Sequence, residues 1–232
     1  MHKTSLLHLS IARLLCAASF SLMGCSHNVA EDRSLVSSSN RQYTNNYNNH
    51  LVDTAVHLLR DGDIVLRMGM GADSYLLAML SKKDHAYSHC GIVIMEKGYP
   101  FVYHCIGGED NPDARMRRDS AGFFFSPLHN TALAIVRYNY GADTINRLKE
   151  VVYQFYKTRP RFDLKFDLGT DDYLYCSEFA YKVIIQATAD TNYLSSSQLK
   201  GGKFIGIDDL YINPHAQMVW QTKFKRYLYH QK

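Results

Sequence analysis

Residues 173–179 read Tyr173-Leu174-Tyr175-Cys176-Ser177-Glu178-Phe179. They follow a polar, turn-prone segment, Leu168-Gly169-Thr170-Asp171-Asp172, and open a run in which Phe179, Ala180, Val183 and Ile184 recur at helical spacing. The spacing predicts a helix that starts near Cys176. The first turn of a helix leaves backbone N–H groups unpaired and carries the positive end of the helix dipole, so a cysteine placed there is biased toward thiolate. One reading of Cys176 is therefore a nucleophile. The other is a buried thiol that packs the helix onto the core, because free cysteine is among the most buried residue types.

The segment that best partners this helix lies upstream. Ser88-His89-Cys90-Gly91-Ile92-Val93-Ile94-Met95 reads as a strand, Glu96-Lys97-Gly98-Tyr99 as a turn, and Phe101-Val102-Tyr103-His104-Cys105-Ile106 as the returning strand. With Lys97 and Gly98 as the two loop residues, Gly91 faces His104 and Cys90 faces Cys105. Side chains alternate along a strand, so His89 and His104 share one face as diagonal neighbours and the two cysteines share the other. A slip of one residue would destroy this arrangement.

Working outward, residues 1–24 read as a bacterial lipoprotein signal peptide. Lys3 supplies the positive start, and the apolar stretch from Leu6 to Met23 is interrupted by His8 and Arg13. It ends Leu22-Met23-Gly24-Cys25-Ser26, which resembles a lipobox and implies acylation of Cys25 after cleavage. Ser26 after that cysteine implies the periplasmic face of the outer membrane. Residues 25–50 are rich in Ser and Asn and read as a flexible tether, and the folded domain is expected over 51–232. Within it, a short helix is expected near 51–60. Ile64-Val65-Leu66 and Leu133-Ala134-Ile135-Val136-Arg137 read as strands, Tyr75 to Leu80 as a short helix, and Ile145 to Tyr156 as a helix. The charged run from Gly107 to Arg118 is expected to be a long polar loop, Phe123-Phe124-Phe125 a core plug, and Lys223 to Tyr229 a closing edge strand. Asp63 fits a turn-anchoring role ahead of a buried strand, and Glu178 a helix cap or a partner for a basic neighbour.

The formal charge of +4 falls to +2 once Lys3 and Arg13 leave with the signal segment, and nothing in it calls for nucleic acid. Of five cysteines, Cys16 lies in the signal segment and Cys25 in the lipobox. Cys90 and Cys105 are open to two readings, a disulfide or two reduced core thiols. A third reading gathers His89, His104 and Cys176 as zinc ligands, but no CxxC or HExxH spacing supports it. No cofactor is implied.

A thiol nucleophile needs a base to hold its proton and a polar group to orient that base. Cys176 at a helix start, His89 on the neighbouring sheet and His104 beside it satisfy the scheme. The Cys176 backbone N–H is placed to help form an oxyanion hole, with Tyr175 a further oxyanion or cleft candidate. Asp61-Gly62-Asp63-Ile64-Val65, Tyr87-Ser88-His89-Cys90-Gly91-Ile92, Phe101-Val102-Tyr103-His104-Cys105 and Tyr175-Cys176-Ser177-Glu178-Phe179 together resemble the circularly permuted NlpC/P60, papain-like enzymes of the YiiX/YaeF type, over roughly residues 60–188. The histidine precedes the cysteine here, the reverse of ordinary papain-like order and the order of the permuted enzymes. The resemblance implies an α+β fold with a central antiparallel sheet and a helix carrying the nucleophile. It also implies Cys176 as nucleophile and His89 as base. Glutamate is usual where His104 stands, so the third position departs from the family pattern. The function implied is a thiol hydrolase that cleaves an amide bond, of a murein peptide or another acyl substrate, through a thioester. The alternative is a non-catalytic cell-envelope binding module on the same fold.

Overall fold

The structure is a computed structural model and describes residues 27–107, 114–199 and 202–226. The signal segment and Cys25 lie outside the described residues. The chain divides into two compact units, Met1–Arg41 and Gln42–Lys232. The first helix, α1 (His27–Leu58), replaces most of the expected tether with helix. The physical reason is in the sequence: residues 27–58 contain no Gly or Pro, and Val52 and Ala55 near the end of the helix are buried. A helix pinned by such packing extends at the cost of ordering one residue per added hydrogen bond.

In the second unit the elements run β1 (Ile64–Gly69), α2 (Ala72–Ala78), β2 (His89–Glu96), β3 (Tyr99–His104), β4 (Arg117–Ser120), α3 (Ala121–Phe124), β5 (Asn130–Tyr138), α4 (Ala142–Thr158), α5 (Cys176–Thr188), β6 (Ser197–Leu199), β7 (Gly202–Phe204) and β8 (Ala216–Lys223). Six strands form one antiparallel sheet in the order β4-β3-β2-β1-β5-β8, and β6 pairs with β7 separately. Alternation along the strands sorts the core into two layers. Ile64, Leu66, Ile92, Ile94 and Val136 pack with Leu148 and Val152 of α4 and with Phe179, Val183 and Ile184 of α5. Val65, Val93, Val102, Leu133 and Ile135 pack on the other face with Val52 and Ala55 of α1 and with Phe124 and Phe125. Phe124 and Phe125 are thus the expected plug, each burial contributing about 1.5–3 kcal/mol, while Phe123 is exposed.

The hairpin takes the expected register. Glu96 pairs with Tyr99 and Ile92 with Tyr103, across a two-residue turn in which Lys97 (φ 50) and Gly98 (φ 86) both have positive φ. Positive φ at both central residues is the type I′ requirement, whose twist matches that of the flanking strands. Asp63 anchors β1 as expected: it accepts two bonds of 2.7 Å from Arg137 and one of 2.8 Å from the Arg60 N–H.

Two expectations need correction. The charged run was expected to be loop throughout, yet Arg117–Ser120 forms β4 and pairs with β3. The sheet edge beside β5 is Ala216–Lys223 and not the later basic and aromatic run. Val219 and Trp220 supply the β-branched and aromatic residues that fit the strand. Phe224, just past it, turns inward and is buried. Residues 227–229 of the expected strand lie outside the described residues.

Candidate active site

The β2–β3 ladder is described from Glu96↔Tyr99 to Ile92↔Tyr103. Beyond it, toward the start of β2 and the end of β3, stand His89, Cys90, His104 and Cys105. His89 and His104 meet on one face of the sheet. His89 Nε2 lies 2.9 Å from His104 Nδ1, and His104 Nε2 lies 3.0 Å from Asp119 Oδ2. Phe124 packs against both rings, with centroids 5.7 Å from His89 and 5.2 Å from His104. Arg117 donates to the other oxygen of Asp119, Oδ1, at 2.9 Å.

Asp119 is the site residue the sequence did not reveal. It lies on β4 opposite Val102, two residues along from Arg117, which pairs with His104. Its carboxyl is held below the usual range against the opposing effect of burial, the hydrogen bonds and charges of His104 and Arg117 lowering it. An ionised carboxylate accepts and cannot donate, so the proton chain can be assigned. His104 carries its hydrogen on Nε2 and donates to Asp119. His104 Nδ1 then accepts from His89 Nε2–H. This leaves His89 Nδ1 with the lone pair, as a base needs.

Both imidazoles are neutral at pH 7. Burial lowers His89 well below its ordinary value, helped by the charge of Arg67. Burial also lowers His104, to about 4, with Asp119 opposing. Between about pH 4, where His104 titrates in the fold, and 6.5 the unfolded chain therefore binds more protons than the fold, and stability falls as pH falls through that window. Urea denaturation should show less stability at pH 5 than at pH 6.5. His104→Asn should reduce that difference; an equal difference in the variant would show that His104 is not the group responsible.

Cys176 is the first residue of α5 and is buried, with 8% exposure. Its environment comes from the other face of the sheet, where Cys90 and Cys105 belong to the layer that packs on α5. The Cys90 thiol lowers the Cys176 pKa most. Burial opposes this, and the backbone amides of Cys90, Ser177 and Cys176 itself lower it further. The thiolate is thus favoured by amide and thiol donors at a helix start. Among the described residues no hydrogen bond joins Cys176 to either histidine. The structure therefore brings together His89 with His104, and Cys176 with Cys90, but leaves the two pairs unjoined.

The other candidates have structural settings. Tyr175, expected as an oxyanion or cleft group, is buried, stacks on Phe204 with centroids 5.3 Å apart, and accepts the Ile205 N–H at 3.0 Å. Its hydroxyl serves the fold at that position. Glu178 accepts the Tyr175 N–H at 3.2 Å and pairs with Lys182 at 3.0 Å, the cap and basic partner expected of it. Burial raises its carboxyl to about 7 against the pull of Lys182. Cys90, Cys105 and Cys176 are all free thiols, so the Cys90–Cys105 disulfide reading is not realised in this structure. Among the described residues no group of three His, Cys, Asp or Glu side chains is arranged to hold a metal ion. His89 Nε2 and His104 Nδ1 are hydrogen-bonded to each other, and His104 Nε2 to Asp119.

No protein-family model matches the chain, and no curated protein matches it. Among solved structures, it is similar to one described as a metalloprotein, YiiX, from Escherichia coli O157:H7 (DUF1105). The identity is 17% and the TM-score 0.58, over 71% of this chain and 98% of that one. The likeness is one of fold: a central antiparallel sheet flanked by helices, in keeping with a permuted papain-like architecture.

Proposed function

We propose that this chain is a thiol hydrolase that cleaves an amide or related acyl bond through a thioester on Cys176. The observation that carries the reading is Cys176 itself: a cysteine that opens a buried helix, with a pKa held down by the Cys90 thiol and by three backbone amides. The same amides that favour the thiolate are suited to a carbonyl oxygen that gains charge during attack. His89, with Nδ1 as its free lone pair, is the base in this reading. His104 and Asp119 hold its tautomer. The reaction requires a rearrangement at the start of β2 that brings His89 and Cys176, which here lie against opposite faces of the sheet, to one side. Acylation of Cys25 would anchor the domain to the outer membrane, where murein peptides and lipid acyl groups are both within reach. No described helix is long and apolar enough to cross a membrane.

One observation favours a second reading. With Cys176 and His89 unjoined, the fold also suits a cell-envelope binding module without catalysis. Labelling separates the two. An activated acyl probe, such as a p-nitrophenyl ester, should form a thioester that peptide mapping places on Cys176, and the adduct should turn over. An adduct on Cys176 that persists without hydrolysis, or no adduct at all, would favour the binding module.

A further inference from the structure

Exposed apolar side chains gather on one side of the second unit. Met70 follows β1, and Tyr75, Leu76 and the α2 C-cap Met79 are exposed after it, Leu76 to 63%. The Met70 N–H donates to the His129 carbonyl at 3.0 Å, which sets Leu128, 73% exposed, close by. Arg226 donates to the carbonyls of Pro127 and Asn130, which bracket Leu128. Lys225 exchanges two bonds with Asn48 of α1, at 2.9 and 3.0 Å, and its Nζ lies 3.8 Å from the Tyr47 ring centroid. These links join α2 to the stretch of α1 at Tyr43 and Tyr47. Within residues 43–48, 70–83, 127–129 and 225–226 the cations Lys82, Lys83, Lys225 and Arg226 stand against one acid, Asp73, and all five are exposed. We propose that this face docks on an anionic phospholipid bilayer.

Composition and chain length point to the same occupant. Protruding Leu, Met and Tyr flanked by Lys and Arg match a membrane interface, where the apolar body enters the acyl boundary and the cation stays at the headgroups. Each cation adds attraction to an anionic surface that falls off within a Debye length. A protein partner fits less well, because lysine is depleted from protein interfaces. Seventeen residues separate Cys25 from Tyr43. Fully extended they reach about 60 Å, so a chain acylated at Cys25 keeps this face within reach of the bilayer. That step rests on the lipobox reading; the layout of the face does not. Docking also orients the domain. Arg67 of β1 pairs with His89, so Met70, three residues on, lies at the end of the sheet where β2 begins. The His89 end of the sheet is thereby set toward the lipid.

The test maps contact by mass and needs no hydrolase activity. The full chain is reconstituted into vesicles of phosphatidylethanolamine and phosphatidylglycerol that carry a phospholipid with a diazirine in its acyl chain, and is illuminated. Adducts should concentrate on peptides holding residues 70–80 and 127–129. Leu76→Glu combined with Leu128→Glu should lower that labelling about tenfold or more, and vesicles of phosphatidylcholine alone should lower it about threefold or more. Both substituted side chains are exposed, so the variant should fold, which circular dichroism checks. The mass of the N-terminal peptide reports acylation of Cys25 separately, so an unacylated chain and a face that ignores lipid are told apart. Adducts equally frequent at exposed Tyr99, in the turn at the far end of the β2–β3 hairpin, would overturn the proposal. So would adducts confined to the N-terminal residues, no adducts at all, or labelling unchanged in the double variant. Self-association without vesicles, seen by sedimentation and lost in the double variant, would assign the face to a second copy of the chain instead.

Discussion

Cys176→Ala should lower hydrolysis of a p-nitrophenyl ester by about 10³-fold or more, with no labelled peptide left at position 176. The fold should survive, because alanine is the best helix former and the removed sulfur is one member of a large apolar layer. His89→Ala should approach the same loss. The double variant then carries the information that the unjoined geometry demands. Groups that act as one unit are grossly non-additive, so if the two residues meet in the working state the double variant should be about as slow as the slower single one. If instead the losses multiply, the thiolate is generated by its amide donors without His89. A Cys176→Ala protein that keeps most of its activity would end the thiol mechanism altogether.

What could be read from the sequence, and what could not, divides along physical lines. The hairpin was legible because a two-residue turn fixes register for every residue beyond it. Lys97 and Gly98 took the positive φ values of a type I′ turn, and His89 and His104 fell on one face as a consequence. The helix at Cys176 was legible because its apolar spacing continues through Phe179, Val183 and Ile184. Asp119 was not legible. Its strand is four residues long and reads Arg117-Arg118-Asp119-Ser120, with charge on both faces, so no apolar alternation announces it. Arg118 points one way, pairing with Glu96 at 2.6 Å, and Arg117 and Asp119 point toward the histidines. The sequence also separated histidines and cysteines onto opposite faces of the hairpin. The structure brings Cys176 to the cysteine face, and that is why the nucleophile and its base are unjoined here.

Asp119 is a positioning residue in this scheme, and its amide variant gives the second large effect. Asp119 uses Oδ1 to accept from Arg117 and Oδ2 to accept from His104. In Asp119→Asn the guanidinium, which has donors alone, holds the amide oxygen, so the NH₂ group is turned toward His104 Nε2. Two donors cannot share that contact, and His104 must move its hydrogen to Nδ1. It then donates to His89 Nε2, and His89 is forced to carry its hydrogen on Nδ1, the position that must be bare for it to act as a base. The expected loss of rate is about 10²–10⁴-fold, the scale seen when a triad's carboxylate becomes an amide and its histidine is held in the wrong tautomer. Nitrogen NMR of the imidazoles should show the hydrogen moved on both rings. Asp119→Asn combined with Arg117→Leu frees the amide to turn its oxygen to His104, and it should regain part of the rate together with the original tautomers. A purely structural role for Asp119 predicts the reverse, since the double variant removes one more contact and should be worse. If the single variant keeps its rate and its tautomers, the carboxylate does not set the proton chain, and His89 must be oriented by His104 and the Phe124 packing without it.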